Sequence, residues 1–203
     1  MLNFDEMLTY VKEYLESHEG IKSKKFPFRD RFLHSKRVYL WSKKIIDDGA
    51  VVDKNVIYAA CIFHDVGYAH GKEYHPLYSE KVFLDYANEH NLDRVFTERV
   101  AYCIKYHSCK NLLMDKNTPL ELIYVMEADL LDEEGALAVA WDLMGIGGKS
   151  PESYIDGLNN LNDHSLHILT QEPMVTKKAK EIWAHKQMIV KEFAEELKSD
   201  LFE

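Results

Sequence analysis

With 203 residues, 46% hydrophobic and 29% charged, the chain has the make-up of an ordinary folded domain, so a disordered tract or a fibrous repeat does not fit it. A formal net charge of −9 lacks the broad positive field that holds a nucleic-acid backbone, which sets polymer DNA and RNA aside as partners. A small phosphorylated ligand stays open, because a metal ion and a few local cations reverse the potential inside a cleft.

Cys61, Cys103 and Cys109 are an odd set without CxxC spacing and read as free thiols, which points to a reducing, cytoplasmic setting. No apolar run reaches the length of a membrane span, and MLNFDEMLTYVKEYLE carries acids among its apolar residues, so neither a signal peptide nor membrane association is expected.

Apolar residues recur at three and four rather than at two along most of the chain, so the expected fold is all-α. A first helix is predicted from about Asn3 to His18, with Asn3 and Glu6 in capping-box spacing. Gly20 to Phe28 reads as a loop, and a second helix follows from about Arg31 to Asp48, stopping at Gly49. The third starts after Asp53 as N-cap and runs through VIYAACIF into His64; it is apolar nearly all round and therefore lies in the interior.

VGYAHGKEY, with two glycines and no period, is expected to be a loop. Helices then run from Pro76 to about His90 and from Asp93 to His107. Thr118, Pro119 and Glu121 mark the start of LELIYVMEADLL, which puts Asp129 near that helix's end. A short helix from Gly135 to Met144 comes next, then another from Ser150 and Pro151, and a long final one from Thr176 to Phe202. GIGGKS, Gly145 to Ser150, is read as a glycine-rich connection, since Leu143 stands where a phosphate-binding loop needs glycine and no strand precedes it.

Most of the ten histidines have ordinary positions near helix ends or on polar faces, His18, His90, His164, His167 and His185 among them. His64 and Asp65 differ, because they stand at the exit of a buried helix, where water is scarce. By itself that pair reads as a satisfied polar cap. His34, inside a helix expected to be strongly amphipathic, and Asp129, near the end of another, change the balance: four ligands on three helices can converge. Two imidazoles and two carboxylates suit a divalent first-row ion or Mg²⁺ and leave positions open for water and substrate.

The ordered pattern His34, His64-Asp65, Asp129 resembles the signature of the HD-domain metal-dependent phosphohydrolases. The segments EADLLDEEGALAVA, NNLNDHSLHIL and MVTKKAKEIWAHKQMIVKEF are similar to a bacterial subgroup of about this length, over nearly the whole chain. The chain departs from that subgroup at Leu130 and Trp141, where the relatives carry arginines.

The resemblance implies one HD-type domain over 1–203, a helical bundle with a core of about 30–145 and a C-terminal helical extension of about 150–203. It implies a metal held by His34, His64, Asp65 and Asp129, with His64 and Asp65 catalytic. Relatives with two ions add histidines between the HD pair and the last aspartate, so His75 and His107 are candidates for a second ion or for substrate phosphate. Plain surface or helix-end roles remain the alternative for both. Arg37, one turn after His34 and roughly 5–6 Å along the same face, is a candidate phosphate ligand; a surface arginine is the other reading.

The expected reaction is hydrolysis of a phosphoester or phosphoanhydride bond in a small phosphorylated substrate, a nucleotide by analogy, through a metal-activated water and without a covalent intermediate. The cofactor would be Mg²⁺, Mn²⁺ or another first-row ion, and the assembly a monomer or homodimer. An HD-type di-iron oxygenase and a non-catalytic nucleotide-binding module are the competing readings.

Overall fold

The structure is a computed structural model and describes residues 2–18, 30–147, 154–168 and 172–202. It is helical throughout, with no strand among the described residues. They group into two compact units, Met1–Asp129 and Leu130–Glu203. The predicted loop at 20–28 and the helix start at Ser150 and Pro151 lie outside the described residues.

In the first unit, α1 (Phe4–Glu16) begins where the Asn3 side chain accepts the Glu6 amide at 3.2 Å, and it buries Met7 and Val11. The second helix, α2 (Arg31–Ile45), is capped by Asp30, whose carboxylate accepts the Leu33 amide at 2.8 Å. It ends three residues before the expected Asp48, because the backbone turns extended at Ile46. Its inward face is His34, Ser35, Val38, Tyr39, Ser42 and Ile45. Half of that stripe is polar, so the helix is less amphipathic in composition than expected.

The third helix, α3 (Lys54–Phe63), starts at Asp53, which accepts the Asn55 amide, and ends at His64 as its C-cap. Val56, Ile57, Ala59, Ala60, Cys61, Ile62 and Phe63 are all buried, with α1, α2, α4 and α5 packed around them. Each large side chain in that set is worth about 1.5–3 kcal/mol of burial. The interior is therefore built on α3, and whatever follows Phe63 emerges inside it.

Val66–His70, expected as a loop, is a 3-10 turn. It packs on α4 (His75–Glu89), which starts one residue before the expected Pro76. The contact is tight at Gly67, whose amide donates to Ser79 Oγ at 2.8 Å; a Cβ at this position would sit 2.1 Å from the His75 carbonyl oxygen. Asp93 caps α5 (Arg94–Tyr106) through the Phe96 amide at 2.9 Å, and a second 3-10 turn, Lys110–Met114, leads to α6 (Leu120–Asp132). On α6, Leu122, Tyr124, Val125, Met126 and Ala128 are buried.

In the second unit, α7 (Ala136–Gly147) follows Gly135, which takes the left-handed φ of +79° that favours glycine. The expected glycine-rich connection is corrected in part: Gly145 to Gly147 complete α7, because an apolar run carries the helical period through them, and the rest lies outside the described residues. Tyr154–Asp163 form α8, Ser165–Ile168 form α9, and Lys177–Phe202 form the expected long final helix, α10. Val139, Leu161 and Val190 make its core, with Leu143, Leu166 and Leu197 partly buried against them. Among the described residues no helix is long and apolar enough to cross a membrane. The three cysteines are free, with Cys61 and Cys103 buried.

Candidate metal centre

Helix ends deliver most of the candidate ligands gathered inside the first unit. His64 is the C-cap of α3 and His107 the C-cap of α5, while Asp129 lies in the last turn of α6. A helix C-terminus carries a partial negative charge of about half an electron and leaves carbonyls without helical partners. Two of those carbonyls are taken by the ligand rings themselves: His64 Nδ1 donates to Cys61 O at 2.8 Å and His107 Nδ1 to Ile104 O at 2.6 Å. His75, at the start of α4, donates from Nδ1 to Lys72 O at 2.9 Å. All three rings are thereby oriented with Nε2 inward.

The four residues of the expected primary set meet. His34 Nε2 is 3.2 Å from His64 Nε2, 3.2 Å from Asp129 Oδ1 and 3.4 Å from Asp65 Oδ2. His64 Nε2 lies 3.6 Å from both Asp65 Oδ1 and Asp129 Oδ1. His75 and His107 join them from the other side of Asp65, their Nε2 atoms 3.4 and 3.5 Å from Oδ1 and 3.2 Å from each other. His34, His64, Asp65 and His107 are buried to within 3%. Two donor groups thus share one carboxylate: His34, His64 and Asp65 form one, and Asp65, His75 and His107 the other.

These contacts fit an ion better than they fit hydrogen bonding. A ring that gives its Nδ1 proton to a carbonyl presents a lone pair at Nε2 when neutral, so the facing His75 and His107 nitrogens repel unless positive charge lies between them. Ser108 Oγ, 3.3 Å from one and 3.0 Å from the other, has a single proton and serves only one of them. Separations of 3.4–3.6 Å are long for hydrogen bonds. Ligands bound at about 2.1 Å stand about 3.0–3.4 Å apart around an octahedral or tetrahedral ion. The donor set, nitrogen with carboxylate oxygen, is the one that divalent first-row ions take.

The protonation states agree. Burial pushes the Asp65 carboxyl up, but the imidazoles of His64, His107 and His34 and the Arg31 guanidinium around it outweigh burial and hold Asp65 well below the usual carboxylate range, as the anion that a cation site requires. Asp129 is likewise driven up by burial and brought well below that range by the Lys110 ammonium and by the His34 and His64 imidazoles beside it. Burial lowers His75 to about 4 against the opposing pull of Asp65, so at neutral pH it is the uncharged ring that a metal requires.

Two cations stand at this centre that the sequence did not single out. Arg31 Nη1 is 2.7 Å from Asp65 Oδ2, with its guanidinium over the Tyr68 ring at 3.4 Å from the centroid. Lys110 Nζ is 2.7 Å from Asp129 Oδ2 and 3.4 Å from Met126 O. The guanidinium bonded to a site carboxylate is that of Arg31, one turn before His34; Arg37, half-buried, lies one turn after it. The R-x-x-H spacing at the start of α2 was the available signal for Arg31.

An all-α unit with a buried histidine and aspartate centre of this make-up belongs to the class of metal-dependent hydrolases. The HD domain family matches residues 31–134, and the chain belongs to that family. No curated protein matches it. Among solved structures it is similar to an HD-superfamily hydrolase from Bacillus thuringiensis, at 20% identity and a TM-score of 0.70 over 98% of this chain and 96% of that one. A predicted HD superfamily hydrolase from an uncultured Thermotogales bacterium shares 19% identity at a TM-score of 0.66, over 97% and 92%. Bacillus subtilis YpgQ in complex with ADP shares 18% identity at a TM-score of 0.66, over 98% of each chain. At these identities the likeness is one of fold.

Proposed function

We propose that the chain hydrolyses a phosphoester or phosphoanhydride bond in a small phosphorylated substrate, a nucleotide being the preferred class. His34, His64, Asp65 and Asp129 would hold one divalent ion, and Asp65, His75 and His107 a second. The observation that carries this reading is the pair of donor groups sharing Asp65, with imidazole Nε2 atoms facing one another across 3.2 Å. ADP bound to YpgQ, a protein of the same fold, supports a nucleoside phosphate as the substrate class.

An ion in such a centre lowers the pKa of a coordinated water towards about 7 and neutralises charge on phosphoryl oxygens. The chain's own residues do the rest. Asp65 stays ionised because the surrounding imidazoles and Arg31 stabilise its charge, and its Oδ1, on the side facing His75 and His107, would accept a hydrogen bond from the attacking water. The helix-end hydrogen bonds of His64 and His107 fix the rings so that no reorganisation is needed when charge develops. Burial of the four innermost side chains keeps bulk water from screening them.

The test is a screen of metal-loaded protein against nucleoside mono-, di- and triphosphates and generic phosphoesters with Mg²⁺, Mn²⁺, Co²⁺ and Ni²⁺, with phosphate and pyrophosphate measured separately. Release of either, lost in His64→Ala, is the expected result. The shared carboxylate between two donor groups also suits a di-iron oxygenase. Oxygen uptake by iron-loaded protein without phosphate release would replace the hydrolase reading with that one.

A further inference from the structure

We propose that Arg31 and Lys110 are the chain's phosphate-binding side chains, and that they select substrates carrying at least two negative charges on phosphate over singly charged phosphodiesters. This rests on the hydrolase reading of the same centre.

The two cations are placed alike. Asp65 turns Oδ1 to His64, His75 and His107 and gives Oδ2 to Arg31 at 2.7 Å. Asp129 turns Oδ1 to His34 and His64 and gives Oδ2 to Lys110 at 2.7 Å. Each carboxylate therefore turns one oxygen to the ion-binding donors and bonds a cation with the other, the Asp65 Oδ2 also lying 3.4 Å from His34 Nε2.

A counter-ion built only to balance a buried carboxylate is itself buried with its donors satisfied. These two are not: the Arg31 side chain is 18% exposed and that of Lys110 33%. One guanidinium nitrogen of Arg31 bonds Asp65, leaving most of the fork's N–H donors for another acceptor. The Tyr68 ring beneath it holds the guanidinium plane, and Tyr68 in turn lies against His75 at 4.2 Å between centroids. A guanidinium kept flat, with donors left over at the rim of a metal centre, matches the paired oxygens of a phosphate. Lys110 adds a point charge on the opposite carboxylate.

Charge balance then gives the substrate class. Within this unit Asp65 and Asp129 cancel Arg31 and Lys110, so each divalent ion added would leave a surplus of about two positive charges at the centre. A monoanionic diester leaves that surplus largely uncompensated. A monoester dianion or a di- or triphosphate matches it.

The experiment uses the full chain loaded with Mn²⁺, its metal content measured, and titrates inorganic phosphate, pyrophosphate and dimethyl phosphate by calorimetry. Wild type is compared with Arg31→Gln, Arg31→Lys and Lys110→Gln. Pyrophosphate should bind well ahead of dimethyl phosphate, and each Gln variant should weaken pyrophosphate about tenfold or more at unchanged metal content. Arg31→Lys, which keeps the charge and loses the fork, should recover part of that loss.

Unchanged pyrophosphate affinity in both Gln variants overturns the proposal, as does dimethyl phosphate binding as tightly as pyrophosphate. Metal content falling in step with anion affinity overturns it too, since the cations would then serve the carboxylates alone. A wild type that binds pyrophosphate in an Arg31-dependent way but hydrolyses nothing in the substrate screen sinks the hydrolase reading and leaves the anion site standing.

Discussion

Replacing Gly67 by alanine should loosen the centre without touching a ligand. A Cβ there would lie 2.1 Å from the His75 carbonyl oxygen, 2.5 Å from the Ser79 amide nitrogen and 2.8 Å from Ser79 Oγ. Two of these are backbone atoms in the first turns of α4, which cannot swing aside as the tip of a side chain does. Relief needs the start of α4 to move by about 1 Å or more, at an overpacking cost of about 1–3 kcal/mol. The Gly67 amide bond to Ser79 Oγ would weaken as well, adding about 1 kcal/mol.

A total of about 3 kcal/mol corresponds to a fall in Tm of about 10 °C, short of complete unfolding for a domain stable by 5–15 kcal/mol. Because His75 rides on that first turn, the displaced helix should also lose the donor group of Asp65, His75 and His107 while keeping that of His34, His64 and Asp65. Metal-free protein would be melted by circular dichroism, and loaded protein would be analysed for bound Mn²⁺. A variant with wild-type Tm and wild-type metal content would refute the steric argument.

Other outcomes follow from the same geometry. Asp129→Asn should sharply reduce bound metal and phosphate release together, checked by metal analysis and a phosphate assay, because it removes a charge that faces both His34 and His64. His75 has its pKa lowered to about 4 in the folded protein against about 6.5 unfolded, so the unfolded chain takes up this proton first as pH falls. Stability of the metal-free protein should therefore drop between about pH 6.5 and 4, and urea titrations should show a shallower drop in His75→Gln. Burial raises both the Cys61 and Cys103 thiols, the latter to about 12, so a thiol reagent should modify only half-buried Cys109 quickly in folded protein, read by mass spectrometry.

Much of this architecture was readable from local signals. Asn3, Asp53 and Asp93 cap the helices they were expected to start, and α3 lies in the interior because its apolar residues cover it on nearly every side. The same burial made His64 and Asp65 conspicuous, since a polar pair at the end of such a helix needs partners. Other parts depend on distances that no local pattern encodes. Whether His75 and His107 meet is decided by how the turn at Gly67 seats α4, and Lys110 finds Asp129 across 19 positions. The inward face of α2 was harder to read as well, because Ser35, Ser42 and His34 occupy positions that hydropathy assigns to solvent.

The imidazole bonds at Cys61 and Ile104 mean that terminating a helix and aiming a ligand are one act. Each ring is steered by the backbone three residues before it, so its orientation travels with the helix. A lineage built this way is free to rewrite the residues around its ion box, and with them the choice of molecule it works on, while the box keeps its aim.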